Sequence, residues 1–288
     1  MLQITDYDFQ RLANYVKKFY GIDLSKKKQL VSGRLSNTVI ASGMKDFGEY
    51  VDSIIKEGRN SDIQAMLNRL TTNYTYFMRE KDHFDYFKNI ILPYLIKTKK
   101  NKVLSIWSAG CSSGEEPYTI SMIIKEYLGT SAGAWDTRVL ATDISYDALR
   151  SAYHAVYDEK ALSALPKQWQ KKYFCPTSAK GIYSVSKELK SNVIFREFNL
   201  MEPIRFKIKF DVIFCRNVMI YFDQQTKDAL VGRFYQATNP GGYLLIGHSE
   251  SLNKEHLPYT YIQPAIYRKT SKNEEPLRND RKDKGIRR

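Results

Sequence analysis

From residue 101 onward, short apolar runs alternate with stretches of helical periodicity, and this alternation constrains the fold more than any other feature of the 288 residues. Residues 103–107, 139–141, 193–198, 211–215 and 243–246 read as strands. Residues 117–128, a segment from 147, and 224–238 read as helices between them. Strands separated by helices form a parallel, doubly wound sheet with helices on both faces, so the expected class is α/β. A last run, 261–267, follows the fifth strand with no helix between, which predicts an antiparallel edge strand. Residues 173–192 break the pattern. There Ile182-Tyr183-Ser184-Val185-Ser186 alternates like a strand after Gly181, predicting a small β-rich insertion.

The first 70 residues have the other period. Thr5 and Asp8 read as a capping box opening a helix with Phe9, Leu12, Val16 and Phe19 on one face, ended by Gly21. Val31, Leu35 and Val39 mark a second helix, ended by Gly43. Phe47, Tyr50, Val51 and Ile54 mark a third. A fourth is expected to start at Ser61, capped with Gln64, and to carry Ile63, Met66, Leu67 and Leu70. The expected organisation is an all-α domain over 1–80, an α/β domain over 81–270 with its insertion at 173–192, and a charged tail over 271–288 too poor in apolar side chains to order.

Composition narrows the setting. No apolar run reaches the ~18 residues of a membrane span. The first residues carry Asp6 and Asp8 and no apolar signal core. Cys111, Cys175 and Cys215 are scattered, without a CxxC pair, so neither a metal site nor a disulfide framework is expected, and a cytoplasmic chain is. The net charge of +14 predicts an acidic partner. Between Leu24 and Lys45 stand Lys26, Lys27, Lys28, Arg34 and Lys45, with no acidic residue. Lys27 and Arg34, seven positions apart, are expected to share one flank of the second helix, outside its apolar stripe.

The chemistry collects at strand ends. After the first strand comes Ser108-Ala109-Gly110-Cys111-Ser112-Ser113-Gly114-Glu115-Glu116. Its glycines let a ligand approach the backbone at a helix N-terminus. The pattern is not GxGxxG, and two glutamates there repel a pyrophosphate. They suit a cationic group instead, an ammonium or a sulfonium. Packing alone would also explain small residues in such a loop. Asp143 ends the second strand, where a carboxylate accepts hydrogen bonds from both ribose hydroxyls of an adenosine, or caps the segment from Ser145. Asn199 follows the third strand, and Arg216-Asn217 the fourth. Four strand ends thus carry polar residues able to line one cleft.

The segments 70–80 (LTTNYTYFMRE), 107–118 (WSAGCSSGEEPY), 141–144 (ATDI), 214–222 (FCRNVMIYF) and 247–250 (GHSE) resemble, in order, the motifs of the CheR chemotaxis receptor methyltransferases. The resemblance spans roughly residues 5–268. It implies a class I methyltransferase-like sheet, S-adenosylmethionine as cofactor with S-adenosylhomocysteine as product, and receptor glutamates as substrate. Carried over, the cofactor contacts are Asn73, Thr75, Arg79, Glu115, Asp143, Asn199, Leu200, Arg216 and Asn217. Arg79 and Tyr221 fall where the family places residues beside the transferred methyl. The implied partner is the cytoplasmic helical bundle of the receptors, docked on the N-terminal domain through Lys27 and Arg34, with no metal, no membrane insertion and a monomer expected. A glutamate with a pKa near ~4.3 is ionised at neutral pH, so no general base is required. The competing reading is an RNA or DNA methyltransferase, suggested by the charge. Against it, Arg216-Asn217-Val218-Met219 stands where amino-group methylation of bases commonly uses a (D/N)PPY-like tetrad.

Overall fold

The computed structural model describes residues 2–71, 73–253 and 257–270; the charged tail expected over 271–288 lies outside them. Four helices come first: α1 (Asp6–Tyr20), α2 (Lys28–Ala41), α3 (Phe47–Ile55) and α4 (Asn60–Leu70). The Thr5 hydroxyl caps α1 by accepting the Asp8 N–H, one half of the expected capping box, and donates to the Asp8 carboxylate, a side-chain bond in place of the box's second, backbone one. Gly21, in the left-handed region, ends it. The expected cap at Ser61 is not formed. Arg59 stands at the N-cap without a side-chain bond, and Ser61 falls inside α4. Asp62 instead supplies the negative charge of the first turn.

Residues 81–98, unassigned from periodicity, form one helical run: α5 (Lys81–Tyr86), a π turn at Phe87–Ile91, and α6 (Leu92–Thr98). Then follow β1 (Ile106–Ala109), α7 (Glu115–Leu128), β2 (Val139–Asp143), α8 (Tyr146–His154), β3 (Val156–Asp158), α9 (Lys167–Tyr173), β4 (Phe174–Pro176), β5 (Ile182–Val185) and α10 (Lys187–Ser191). The chain closes with β6 (Val193–Glu197), β7 (Phe210–Cys215), α11 (Gln224–Ala237), β8 (Thr238–Ile246), β9 (Thr260–Gln263) and β10 (Ile266–Arg268). The main sheet has seven strands in the order β6-β2-β1-β7-β8-β10-β9. Strands β6, β2, β1, β7 and β8 run parallel, and β10 runs antiparallel to both of its neighbours, β8 and β9. The single last strand expected over 261–267 is therefore a hairpin of two. It turns at Ala265, whose φ of 63° an alternation count cannot see. The small sheet, order β3-β5-β4, draws its first strand from Val156–Asp158, well upstream of the expected 173–192, and residues 187–191 are helix α10 rather than strand.

The strand order reverses between β1 and β7, which opens a crevice at their carboxyl ends. Strand β7 is buried on both faces. Val212 and Phe214 join α5, α6 and α7 in one core, and Ile213 and Cys215 join a second. That second core runs without a break from Ile4, Leu12 and Val31 in the helical domain to Trp107 and Phe234 under the sheet. The N-terminal helices thus share apolar packing with the sheet that carries the strand ends. No helix among the described residues is long and apolar enough to cross a membrane.

Trp107 sits at the centre of β1, fully buried, against Phe198, Phe206, Phe210 and Phe234 at 5.1–5.8 Å between ring centroids. Its indole N–H donates to the Thr142 hydroxyl at 3.0 Å. Trp107→Ala should lower unfolding stability by about 3–5 kcal/mol in urea melts, the cost of a large core cavity. A loss under about 1 kcal/mol would mean that this ring cluster can collapse around the gap.

Candidate functional site

The carboxyl ends of β1, β2, β6 and β7 open into one cleft of about 980 Å³, counting the space open to solvent. Its wall includes Asn73, Thr75, Arg79, Asp143, Asn199, Leu200, Arg216, Asn217 and Tyr221, nine residues the sequence singles out. The loop after β1 supplies the floor. Gly110 has φ 87°, and a Cβ there would lie 2.3 Å from the Val218 side chain, so only glycine lets the β1 and β7 loops meet.

Asp143 is held from both sides. Its Oδ2 accepts the Ser112 N–H at 2.8 Å and its Oδ1 accepts the Ser145 N–H at 2.9 Å. Each carboxylate oxygen keeps a lone pair for a ligand. Burial pushes this carboxyl above its usual range, against the opposing pull of the Ser145, Ser112 and Ile144 N–H groups. The Ser145 hydroxyl caps α8, so Asp143 supports the cap from outside the helix and still faces the cleft.

The residue after β7 is the most constrained. The Arg216 side chain is 2% exposed. Its guanidinium bonds Glu80 Oε2 at 3.0 Å, Glu116 Oε2 at 2.9 Å and the Arg79 carbonyl, and it lies 5.0 Å from the centroid of the Phe84 ring. Glu80, with φ 55°, also accepts from Asn217 Nδ2 at 3.1 Å and from the His248 N–H at 3.2 Å. Burial raises the Glu80 carboxyl, but Arg216, Asn217 and the His248 N–H together outweigh it and leave it below its ordinary value. Arg79 makes no ion pair with its sequence neighbours Glu80 and Asp82. Its guanidinium donates to the Tyr74 carbonyl at 2.8 Å and lies 6.0 Å from the centroids of both the Tyr74 and Tyr76 rings.

Three expectations need correction or relocation. Glu115 is buried beside Ser113 Oγ, 2.8 Å away, and does not line the cleft. Glu116 does, accepting from Ser108 Oγ at 2.7 Å as well as from Arg216. The helical phase of α7 decides which of two adjacent glutamates faces the strand ends, and phase is not fixed by a loop motif. Lys27 lies at the N-cap of α2 rather than on its face, with its ammonium 5.8 Å from the Tyr221 ring centroid at the cleft mouth. Arg34 turns inward to the C-terminus of α4, donating to the Leu70 carbonyl at 3.0 Å. The sequence also missed Tyr20, Ile22 and Phe198 in the wall. Tyr20 and Ile22 arrive there as Ile22 bridges to Phe222 and the Asp23 N–H donates to the Tyr221 carbonyl at 2.8 Å, and Phe198 as its N–H donates to the Asp143 carbonyl at 3.1 Å.

Glu80, His83 and His248 bring potential metal-ligand atoms within 4.8 Å of one another. The Glu80 oxygens are already occupied by three donors, and the Arg216 guanidinium holds the cationic position beside them. A second cation there would be repelled. Burial holds His83 neutral, with a pKa lowered to about 4.

A parallel sheet with a strand-order reversal, an antiparallel hairpin at one edge, and a cleft of this composition define an S-adenosylmethionine-dependent methyltransferase. The family comparisons are specific. Residues 7–71 match the model described as CheR methyltransferase, all-alpha domain, and residues 73–267 match CheR methyltransferase, SAM binding domain. The chain belongs to the CheR methyltransferase family. It is 42% identical over 273 residues to the chemotaxis protein methyltransferase of Borreliella burgdorferi, covering 93% of this chain and 96% of that one. It is 34% identical over 270 residues to the chemotaxis protein methyltransferase of Escherichia coli, covering 92% of each.

Arg216→Met should destabilise the fold by about 3–5 kcal/mol at neutral pH, because Glu80 and Glu116 lose their shared cation in a buried setting. The Glu80 carboxyl is lowered by folding, so its contribution is full above the unfolded glutamate value and is lost as pH falls through the lower folded value. The gap between wild type and variant should therefore narrow in urea melts at about pH 3 relative to about pH 7. A gap independent of pH would assign the loss to packing alone.

Proposed function

We propose that the chain transfers a methyl group from S-adenosylmethionine to glutamate side chains of chemotaxis receptors, leaving glutamate methyl esters and S-adenosylhomocysteine. The observation that carries this reading is the convergence, on one cleft, of Asp143 at the end of β2, Arg216 and Asn217 after β7, and Arg79 and Tyr221 at the rim. Names of relatives from several bacteria point to the same process. The cleft residues fit the cofactor. Gly110 and Ser112 bring the loop after β1 into the cleft wall, Asp143 offers lone pairs to a ribose, and Glu116 offers a carboxylate to an ammonium.

When bound, the sulfonium supplies an electrophilic methyl and leaves as a neutral thioether. The substrate carboxylate arrives ionised, so this chain need not remove a proton. Its work is alignment and exclusion of water. Arg79 presents a planar fork to a carboxylate from a scaffold of two tyrosine rings. Tyr221 stands across the cleft mouth with its hydroxyl available as a donor. Docking of an acidic helical bundle falls to the basic N-terminal end of α2, where Lys26 is exposed and Lys27 stands over Tyr221. Arg34 keeps its positive charge on the same helix while donating to the Leu70 carbonyl of α4. On this reading the protein works in the cytoplasm.

Incubation with methyl-labelled S-adenosylmethionine and either receptor cytoplasmic fragments or RNA separates the two candidate substrates. Base-labile label on receptor glutamates is expected; label on RNA alone would replace this proposal with the nucleic-acid reading. Reversing Lys26 and Lys27 to Glu should raise KM for the receptor fragment about tenfold or more at low salt, flatten its salt dependence and leave cofactor affinity unchanged. Receptor kinetics equal to wild type at low salt would move docking to another surface.

A further inference from the structure

Glu250 is a buried carboxylate that the methyl-transfer chemistry does not itself use. It stands in the turn after β8, 7% exposed, with its own N–H donating to the Gly247 carbonyl at 3.0 Å. Its two oxygens accept only backbone N–H groups. Oε2 takes Asn217 at 3.0 Å and Gly247 at 2.5 Å, and Oε1 takes Ile220 at 3.2 Å. Two of these donors belong to the short segment after β7, which carries Asn217 and Tyr221 into the cleft wall.

That segment has little regular structure to hold it. Asn217 sits at φ 59°, a conformation an asparagine tolerates but does not prefer, and only a single 3-10 turn, Met219–Tyr221, follows. Its N–H groups have no strand partner, because β7 ends at Cys215. An anion placed where several N–H groups converge satisfies them together and fixes the backbone between them. Gly247 makes the approach possible. A Cβ there would lie 2.6 Å from Asn217 Nδ2 and 2.7 Å from its backbone N.

We propose that Glu250 is a positioning residue for methyl transfer: it holds the Asn217–Tyr221 segment in its working geometry through backbone N–H groups and touches neither cofactor nor substrate. The inference rests on the methyl-transfer reading above. A glutamine is its sharpest replacement, since it keeps shape while one oxygen becomes an NH₂ facing N–H donors. Small displacements of aligning groups cost rate more than affinity.

The test is a double-mutant cycle on the full chain, with a receptor fragment and S-adenosylmethionine as substrates. Glu250→Gln is expected to lower kcat on the order of 100-fold. KM for the receptor should stay within about threefold and S-adenosylhomocysteine affinity should fall by about tenfold at most. The Glu250→Gln, Tyr221→Phe double variant should lose clearly less than the product of the two single effects, because both act through the placement of one hydroxyl. A purely structural residue would lower thermal stability and the fraction of binding-competent sites, leaving kcat per competent site unchanged and the two effects multiplicative. If Glu250→Gln does not fold, Glu250→Asp, which keeps the charge and shortens the reach, carries the same cycle with a kcat loss of about tenfold. A wild-type chain that transfers no methyl to receptor overturns the functional reading and this inference with it. An active wild type with kcat per competent site unchanged in the variants overturns this inference alone.

Discussion

The cleft depends on one buried cation. Arg216 reaches back from the end of β7 to Glu80, before α5, and to Glu116, in the first turn of α7. Three segments far apart in sequence are thereby tied at one point. An ion cluster so removed from water gains little net stability, because desolvation offsets most of the attraction. What it provides is geometry. The guanidinium plane fixes both carboxylates, and through Glu80 it also fixes the Asn217 amide and the backbone at His248. Two carboxylates, Glu116 and Asp143, line the cleft beside the one buried guanidinium, and Glu80 stands behind it. That balance suits a ligand carrying a sulfonium and an ammonium better than one carrying a pyrophosphate.

The helical domain is part of the same site rather than an appendage. The Phe19 carbonyl accepts from Asn199 Nδ2 at 2.7 Å, Ile22 bridges to Phe222, and Tyr20 lines the cleft. The continuous core from Leu12 to Trp107 carries these contacts. A partner docked on the basic end of α2 would therefore press on the wall that holds Tyr221. In this arrangement recognition and alignment act on the same few residues.

Much of this architecture is legible in the amino-acid sequence. The apolar alternation implies the parallel sheet, and the polar residues at its strand ends, together with the family motifs, name nine of the cleft's wall residues. Legibility fails where the outcome depends on rotation or on distant partners. Glu115 and Glu116 are equivalent as letters, and only the phase of α7 separates them. Arg34 reads as a surface charge until α4 brings its terminal carbonyls alongside. The β9–β10 hairpin reads as one strand because the apolar count runs across Pro264, although a proline inside such a run is itself a signal for a turn. Glu250 stands in the GHSE motif, but its partners are backbone groups without a sequence signature, so the motif alone does not say what it holds.

A crystal structure of the full chain with S-adenosylhomocysteine tests the central claim most directly. Both ribose hydroxyls are expected within about 3 Å of the Asp143 carboxylate. The amino acid end of the ligand is expected against Glu116, with Arg216 still seated between Glu80 and Glu116. A ligand bound elsewhere, or bound here with its ribose turned away from Asp143, would contradict that claim.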